Sequence, residues 1–128
     1  MSLATSAVAV MLPVDDVDRA KKFYVESLGL DYTGTNGEGS AMFGLGGGAT
    51  LMLLPRPGGQ RSDSTALSWH VDDVAGQVTA LEQQGVVFED YDGPELTTVD
   101  HVATMGGDTA AWFHDPDGNV LCIHHTSG

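Results

Sequence analysis

The chain has 128 residues, of which 41% are hydrophobic, so it can build the core of a single domain. Eighteen Asp and Glu side chains against five Lys and Arg give a net charge of −13, which repels nucleic-acid phosphates and anionic membrane surfaces. No stretch approaches the roughly 20 apolar residues that a membrane-spanning helix needs. We therefore expect neither nucleic acid nor membrane as a partner.

The cysteine content and the first residues favour the cytoplasm. Cys122 is the single cysteine and can form no disulfide within the chain, which is usual in a reducing compartment. The first residues lack the basic segment and the apolar segment of a secretory signal. The sequence predicts a cytoplasmic protein.

An internal repeat organises the chain. Residues 14–17 and 71–74 share the sequence Val-Asp-Asp-Val at an offset of 57 residues. In both copies an apolar run precedes the motif and a helical pattern follows it, with strand-like segments beyond. This order predicts two similar βαβββ modules, residues 6–55 and 64–125, and a linker over residues 56–63 that is rich in proline, glycine and charge.

The first module begins with a predicted strand over residues 6–13. Asp16 is placed to cap a helix over residues 17–28, and Gly29 is placed to end that helix in the left-handed conformation. Three further strands are predicted, over residues 30–35, 40–45 and 49–54.

Glycines separate these three strands. Asn36-Gly37 and residues 46–48 can supply the positive φ that tight hairpin turns need, so we expect an antiparallel meander. A phosphate-binding loop is the functional alternative for either glycine cluster. Neither cluster opens a helix or matches a known phosphate-loop spacing, so we reject that alternative.

The second module repeats the plan with one large difference. Asp73 is placed to cap a helix over residues 74–84, closed by Gly85, and a strand is expected over residues 86–90. Residues 91–107 form a long polar segment without periodicity. Segments of this kind inside compact domains are often functional loops.

The last predicted element is a hairpin that joins strands over residues 108–114 and 119–125. Its turn has the sequence Asp-Pro-Asp-Gly-Asn over residues 115–119. Pro116 fits the second position of a type I turn, and Gly118 can adopt the positive φ that lets the chain return.

Together these features resemble the vicinal oxygen chelate superfamily, which includes glyoxalase I, the extradiol dioxygenases, the fosfomycin resistance proteins and the bleomycin resistance protein. The resemblance rests on the paired Val-Asp-Asp-Val and helix patterns, on Phe23-Tyr24 in the first helix, and on residues 113–120. It implies an α+β fold in which two βαβββ modules form an incomplete, cup-shaped mixed β-barrel with helices outside. It also implies a homodimer with the ligand inside the cup. It implies no single activity, because these folds host several chemistries.

In the catalytic members of that superfamily, His and Glu side chains of the first and last strands hold a divalent metal. The resemblance places those positions at Ala9, Met52, Ala66 and Cys122. None of the four is a His or a carboxylate, and one thiol with one thioether does not build the usual site. Because this chain departs from the superfamily's pattern at all four positions, we expect neither a metal nor a cofactor, and the resemblance assigns no catalytic residue.

Strand alternation places Ser68, His70, Cys122 and His124 on one side of their strands. Trp112 and Phe113 occupy opposite faces, and the sequence leaves open which one lines the cup. The candidate ligand-binding residues share an expected position on the cup-facing side: Met11, Met52, Ser68, His70, Trp112, Cys122 and His124.

Other roles for these side chains remain open. A displaced metal site could use His70 and His124, although histidines at strand ends more often form ordinary hydrogen bonds. Cys122 and His124 could form a nucleophilic thiol and imidazole pair. Their Cα atoms, two residues apart on a strand, would however be about 7 Å apart. A lone buried cysteine most often serves only as a small apolar side chain that fills space in the core. Trp69 is expected to pack under a helix.

The remaining histidines have weaker claims to a site. His101 lies in the long polar segment and His114 lies beside the turn. His125 should face away from its neighbour His124 by strand alternation.

Two function classes follow. The first is a metal-free protein of the glyoxalase and bleomycin resistance type that sequesters an antibiotic or another small organic ligand. The second is a metal-dependent glyoxalase-like or dioxygenase-like enzyme with a displaced site at His70 and His124, acting by Lewis-acid chemistry. In both cases we expect a homodimer, since a symmetric partner can cover exposed strand edges.

Overall fold

The computed structural model describes residues 2–127, and the chain divides into two compact units, Met1–Arg61 and Ser62–Gly128. These units contain the two predicted modules. Each has one mixed sheet and one main helix, so the predicted α+β fold class is confirmed. Within residues 2–127, no helix is long and apolar enough to cross a membrane.

The first module has a four-stranded sheet in the order β1-β4-β3-β2. Strand β1 pairs in parallel with β4, and the other two pairs are antiparallel. The four strands are β1 (Ala9–Val14), β2 (Asp31–Thr35), β3 (Ala41–Gly44) and β4 (Thr50–Pro55).

Helix α1 (Val17–Lys22) continues as a π-helical turn over Phe23–Ser27, so the predicted helical segment is confirmed with a wider final turn. The Asp16 carboxylate accepts the Arg19 N–H at 3.2 Å, and Gly29 ends the segment at φ 73°. One face of the sheet forms the buried core on this side of the module, with side chains Leu12, Val14, Ala41, Phe43, Leu51 and Leu53. Tyr24 is buried against it, 5.9 Å from Phe43 between ring centroids.

The turn between β2 and β3 differs from the prediction. Positive φ occurs at Gly39 (85°) and not at Asn36 or Gly37. Asn36 instead accepts the backbone N–H groups of Glu38 and Ser40 through its side-chain Oδ1, both at 3.0 Å. The asparagine therefore orders this turn by side-chain hydrogen bonds. The other glycine turn is as predicted, since Gly47 and Gly48 both have positive φ.

The second module has a five-stranded sheet in the order β5-β9-β8-β7-β6, with β5 parallel to β9. Helix α2 (Val74–Gln83) begins where the Asp73 carboxylate accepts the Gly76 N–H at 3.1 Å, and Gly85 follows it at φ 92°. The helix is therefore confirmed. The five strands are β5 (Leu67–His70), β6 (Thr98–Val99), β7 (Val102–Met105), β8 (Asp108–His114) and β9 (Val120–His125).

The stretch between α2 and β8 corrects two predictions. The strand expected over residues 86–90 is reduced to one bridge, between Phe88 and Phe113. The segment expected to be a long loop contains the β6–β7 hairpin, whose turn has Asp100 and His101 at φ 51° and 71°. Strands this short show no readable alternation, and a left-handed turn without glycine carries little sequence signal.

The final hairpin is confirmed in detail. Gly118 donates its N–H to the Asp115 carbonyl at 3.1 Å and has φ 87°. The buried Asp115 carboxylate accepts the N–H groups of Asp117 and Asn119 through Oδ1, both at 2.9 Å, and the Asn119 side-chain amide through Oδ2 at 2.8 Å. One carboxylate therefore organises the whole turn.

Replacing this carboxylate should destabilise the protein. Asp115→Ala leaves three donors without their acceptor, two of them on the buried Asn119, and we expect a loss of at least about 2 kcal/mol in the free energy of unfolding. Urea unfolding followed by circular dichroism measures it. Asp92→Ala, at an exposed aspartate, is the matched control, and equal midpoints for the two variants would contradict this role of Asp115.

Candidate functional site

Pairing in the second sheet brings most of the predicted binding residues together. Ser68 on β5 is the register partner of Cys122 on β9, and Cys122 is the partner of Trp112 on β8. His70 and His124 are partners one step further along. Because laterally paired residues point to the same side of a sheet, these five side chains share one face. We call them the site face: Ser68, His70, Trp112, Cys122 and His124.

The opposite face of the same sheet forms the core of the module. Phe113 is buried there and its ring lies 6.5 Å from that of Trp69, centroid to centroid. Trp69 therefore lies on the predicted face of the sheet, against Phe113, with its side chain partly buried. Of the two neighbouring aromatic residues, Trp112 shares a face with Cys122 and Phe113 does not.

Cys122 is a buried thiol at the centre of the site face. Burial raises its pKa, and this outweighs the hydrogen bonds from Ser68 and from the Ala111 backbone, which lower it. Its Sγ lies 3.4 Å from the Ile123 carbonyl oxygen, and the Nδ1 of His124 is bonded to the Ser68 hydroxyl at 2.5 Å. A protonated thiol whose neighbouring imidazole bonds elsewhere is a poor nucleophile.

Trp112 is held in place from two sides. Its indole Nε1–H donates to the Thr65 hydroxyl at 3.1 Å, and the Tyr91 ring meets it edge-on at a centroid distance of 5.6 Å. Burial raises the pKa of the Tyr91 hydroxyl, with Glu89 and Cys122 adding to the effect. Tyr91 therefore stays a neutral hydroxyl beside the site face. Sequence reasoning missed it because residue 91 lies outside the strands, where alternation does not predict what a side chain contacts.

The histidines do not assemble a recognisable metal site. The His70 ring lies between those of His124 and His125, at centroid distances of 5.4 and 5.2 Å. His125 is predicted to face away from His124, and its Nδ1 lies 3.0 Å from the Val71 carbonyl oxygen. Across residues 2–127, no group of three His, Cys, Asp or Glu side chains could hold a metal ion.

The two other histidines have carboxylate partners, and His114 points to the same side of β8 as Trp112. His101 Nδ1 lies 2.8 Å from Asp90, and its Nε2 lies 3.4 Å from Glu82. His114 Nδ1 lies 2.7 Å from Glu89. Partly exposed pairs of this kind make small contributions to stability, and they do not add ligands to His70 and His124.

The matching row in the first module consists of methionines. Met11 on β1 is the register partner of Met52 on β4, and Met52 is the partner of Met42 on β3. The sequence offset from Met11 to Ser68 is 57, and the offsets from Met52 to Cys122 and from Met42 to Trp112 are both 70. The internal repeat therefore extends to strand register. Sequence reasoning missed Met42 because it used the offset of 57 residues. The later strands of the two modules correspond at an offset of 70 residues, which only strand pairing reveals.

The four positions that the resemblance assigns to the superfamily's metal ligands do not fit a divalent metal by their side-chain chemistry. Ala9 and Ala66 carry no donor atom, Met52 offers a neutral thioether, and Cys122 offers a buried thiol that is protonated at neutral pH. A borderline divalent ion needs imidazole or anionic ligands to replace its water.

The family model described as the Glyoxalase/Bleomycin resistance protein/Dioxygenase superfamily matches residues 6–123. The chain belongs to this superfamily. The resemblance drawn from the repeat and the final hairpin is thereby confirmed. A search of curated proteins gives no match.

Solved structures of superfamily proteins share the fold. TnmS3, an antibiotic binding protein from Streptomyces sp. CB03234, is 29% identical with a TM-score of 0.73, over 98% of this chain and 100% of that chain. A glyoxalase/bleomycin resistance protein from the same organism is 28% identical with a TM-score of 0.67, over 94% and 100%. Lactoylglutathione lyase from Agrobacterium tumefaciens is 20% identical with a TM-score of 0.69, over 97% and 96%, and shows the fold alone.

The raised pKa of Cys122 predicts a pH dependence of stability. The folded protein holds the thiol proton more tightly than the unfolded chain does. This contribution is complete below the ordinary thiol value of 9.0 and is lost as the pH rises through the higher folded value. Between about pH 7 and about pH 10, the parent protein should lose more free energy of unfolding than Cys122→Ala. Urea titrations at both pH values test this, and equal losses would contradict it, since Tyr91 ionises in both proteins.

Proposed function

We propose that this chain is a small-molecule-binding protein of the glyoxalase and bleomycin resistance type that sequesters an antibiotic or a similar organic ligand on the site face. The observation that carries the proposal is the row Ser68, Cys122 and Trp112, brought together by strand pairing. An aromatic ring lies beside a hydroxyl and a thiol there, with two imidazoles one step along the strands. Apolar surface with a few placed polar groups is the usual character of a ligand site.

The side chains at the positions that the resemblance assigns to metal ligands favour binding over metal-dependent catalysis. Replacing imidazoles and carboxylates by Ala9, Ala66, Met52 and Cys122 removes the charged groups and leaves small or apolar side chains. Such a surface favours a largely apolar ligand. The likeness to TnmS3, described as an antibiotic binding protein, supports the same ligand class.

The side chains of the site face offer the ligand a stacking surface and several hydrogen-bonding groups. The Trp112 ring offers a stacking surface whose orientation is fixed by Thr65 and Tyr91. Ser68 and His124 form one bonded pair, and each can still bond to a ligand hydroxyl or carbonyl. His70 is exposed and adds a second imidazole. The predicted contacts Met11 and Met52 lie on β1 and β4 of the first module, and the proposed site face does not include them.

The enzyme alternative depends on His70 and His124. Their rings are adjacent, which is the one feature that favours a displaced metal site. Lactoylglutathione lyase activity, taken from the relative of that name, is the reaction to assay with added zinc or nickel. Stoichiometric metal in the purified protein, lost together with stability in His70→Ala, would establish this alternative in place of the binding proposal.

The binding proposal predicts that ligand affinity depends on Trp112. A thermal-shift screen of metal-free bleomycin and a panel of aromatic natural-product antibiotics identifies binders, because a ligand of the native state raises the melting temperature. Trp112→Leu should weaken the best binder by at least about tenfold, the effect of losing one aromatic contact of about 1.4 kcal/mol. Isothermal titration calorimetry measures it.

Controls separate this site from general effects. His101→Gln changes a histidine in the turn between β6 and β7, away from the site face, and should leave affinity unchanged, whereas His70→Ala should reduce it. A chelator should change neither the melting temperature nor the affinity. A panel without any binder, or a binder that is indifferent to Trp112→Leu and His70→Ala, would overturn the proposed site.

A homodimer and a cytoplasmic location remain predictions from the sequence. For a dimer, light scattering at micromolar concentration should give twice the chain mass of 13.4 kDa. The edge strands β1 and β5 of the two sheets are the backbone surfaces that a symmetric partner could cover. A mass of one chain over the whole concentration range would rule the dimer out.

A further inference from the structure

The three methionines of the first sheet lie in one lateral row on adjacent strands. Met11, Met52 and Met42 occupy β1, β4 and β3 at matching register positions, and their neighbours Leu12, Leu53 and Ala41 are buried on the other face. The row is partly accessible, since Met11 is 55% exposed and the other two are of intermediate burial. Three of the five methionines in the chain are therefore gathered at one point.

From this row we propose that the first module carries a binding site for a soft monovalent cation, Cu(I) or Ag(I), with the three thioether sulfurs as ligands. Thioethers are soft, neutral donors that select Cu(I) over hard or borderline divalent ions. Zinc, magnesium and calcium need anionic or imidazole ligands to replace their water, and the row has none. The proposal does not depend on the organic ligand of the second module.

The spacing of the strands suits such an ion. Adjacent strands are about 4.8 Å apart, and three sulfurs bound around one ion at about 2.3 Å lie about 4 Å from one another. The outer two strands are about 9.6 Å apart, so each of their side chains must lean inward by about 3 Å. Methionine can do this because it has three rotatable side-chain bonds. Met42 has room to adjust, because the residue beside it on β2 is Gly34, where even an added Cβ would lie 3.9 Å from the terminal methyl.

Charge favours a cation over a neutral apolar ligand at this row. The chain carries a formal net charge of −13, which raises the local concentration of any cation at its surface. The equivalent row in the second module is Ser68, Cys122 and Trp112, so the repeat itself does not require methionine at these positions. Other apolar residues could have filled the row, and only methionine adds a donor atom to each position.

The test uses Ag(I), as silver nitrate in chloride-free buffer, and protein labelled with ¹³C at the methionine methyl groups. Cys122→Ala serves as the parent, because a thiol would compete for silver. The methyl signals of Met11, Met42 and Met52 should shift together and saturate at one equivalent, while that of Met105, an exposed methionine of β7, should not. Met52→Leu should weaken binding at least about tenfold, the smallest effect expected when a contact to a bound metal is lost.

Leucine keeps the volume and apolar character of methionine and usually preserves the fold, so this substitution separates thioether ligation from packing. Met105→Leu is the matched control and should bind silver as the parent does. If Met52→Leu proves unstable, Met11→Leu provides the same test at a more exposed position. Unmoved methyl signals in the row, or equal affinity in the leucine variants and the parent, would overturn the proposed site without affecting the ligand proposal for the second module.

Discussion

The buried carboxylate of Asp115 determines which side chains form the site face. Its bonds to Asp117 and Asn119 fix where β8 ends and β9 begins, and this turn sets Trp112 opposite Cys122. Because side chains alternate along a strand, a slip of one residue would turn Trp112 into the core and bring Phe113 to the site face. In the superfamily's hairpin motif, this aspartate therefore has a structural role: it fixes the strand register on which the site face depends.

The internal repeat shows how one architecture carries two different surfaces. Both sheets pair their first and last strands in parallel, and equivalent residues meet in equivalent rows. The first module has three thioethers in its row and the second has a hydroxyl, a thiol and an indole. Of the positions that the resemblance assigns to metal ligands, Met52 and Cys122 lie in these rows and offer neither imidazole nor carboxylate, so the fold is retained while the residues present do not support its usual metal chemistry.

The sequence predicted those parts of the fold that local physics determines. Asp16 and Asp73 cap the helices and Gly29 ends the first one, because a short acceptor and a left-handed glycine are strong signals that need no tertiary context. The Asp-Pro-Asp-Gly-Asn turn is strong for the same reason. For the candidate site, the alternation of side chains along a strand correctly placed Ser68, His70, Cys122 and His124 on one side of their strands.

The remaining features depend on contacts that sequence does not display. The β6–β7 hairpin has strands of two and four residues, and Asp100 and His101 take left-handed conformations that glycine usually marks. The choice between Trp112 and Phe113 required the register of β8 on β9. Met42 joins its row through strand pairing, and Tyr91 contacts Trp112 through packing. A local pattern does not reveal contacts between segments so far apart in the chain.

The central claim is that the site face binds an organic ligand without a metal, and NMR chemical-shift mapping tests it most directly. The tightest binder from the antibiotic panel is titrated into ¹⁵N-labelled protein in the presence of a chelator. The account predicts that the largest shifts fall on the indole N–H of Trp112 and on the backbone N–H groups of Ser68 and Cys122, with small shifts in α2. Shifts concentrated on α2 or on the β6–β7 hairpin, or binding abolished by the chelator, would contradict it.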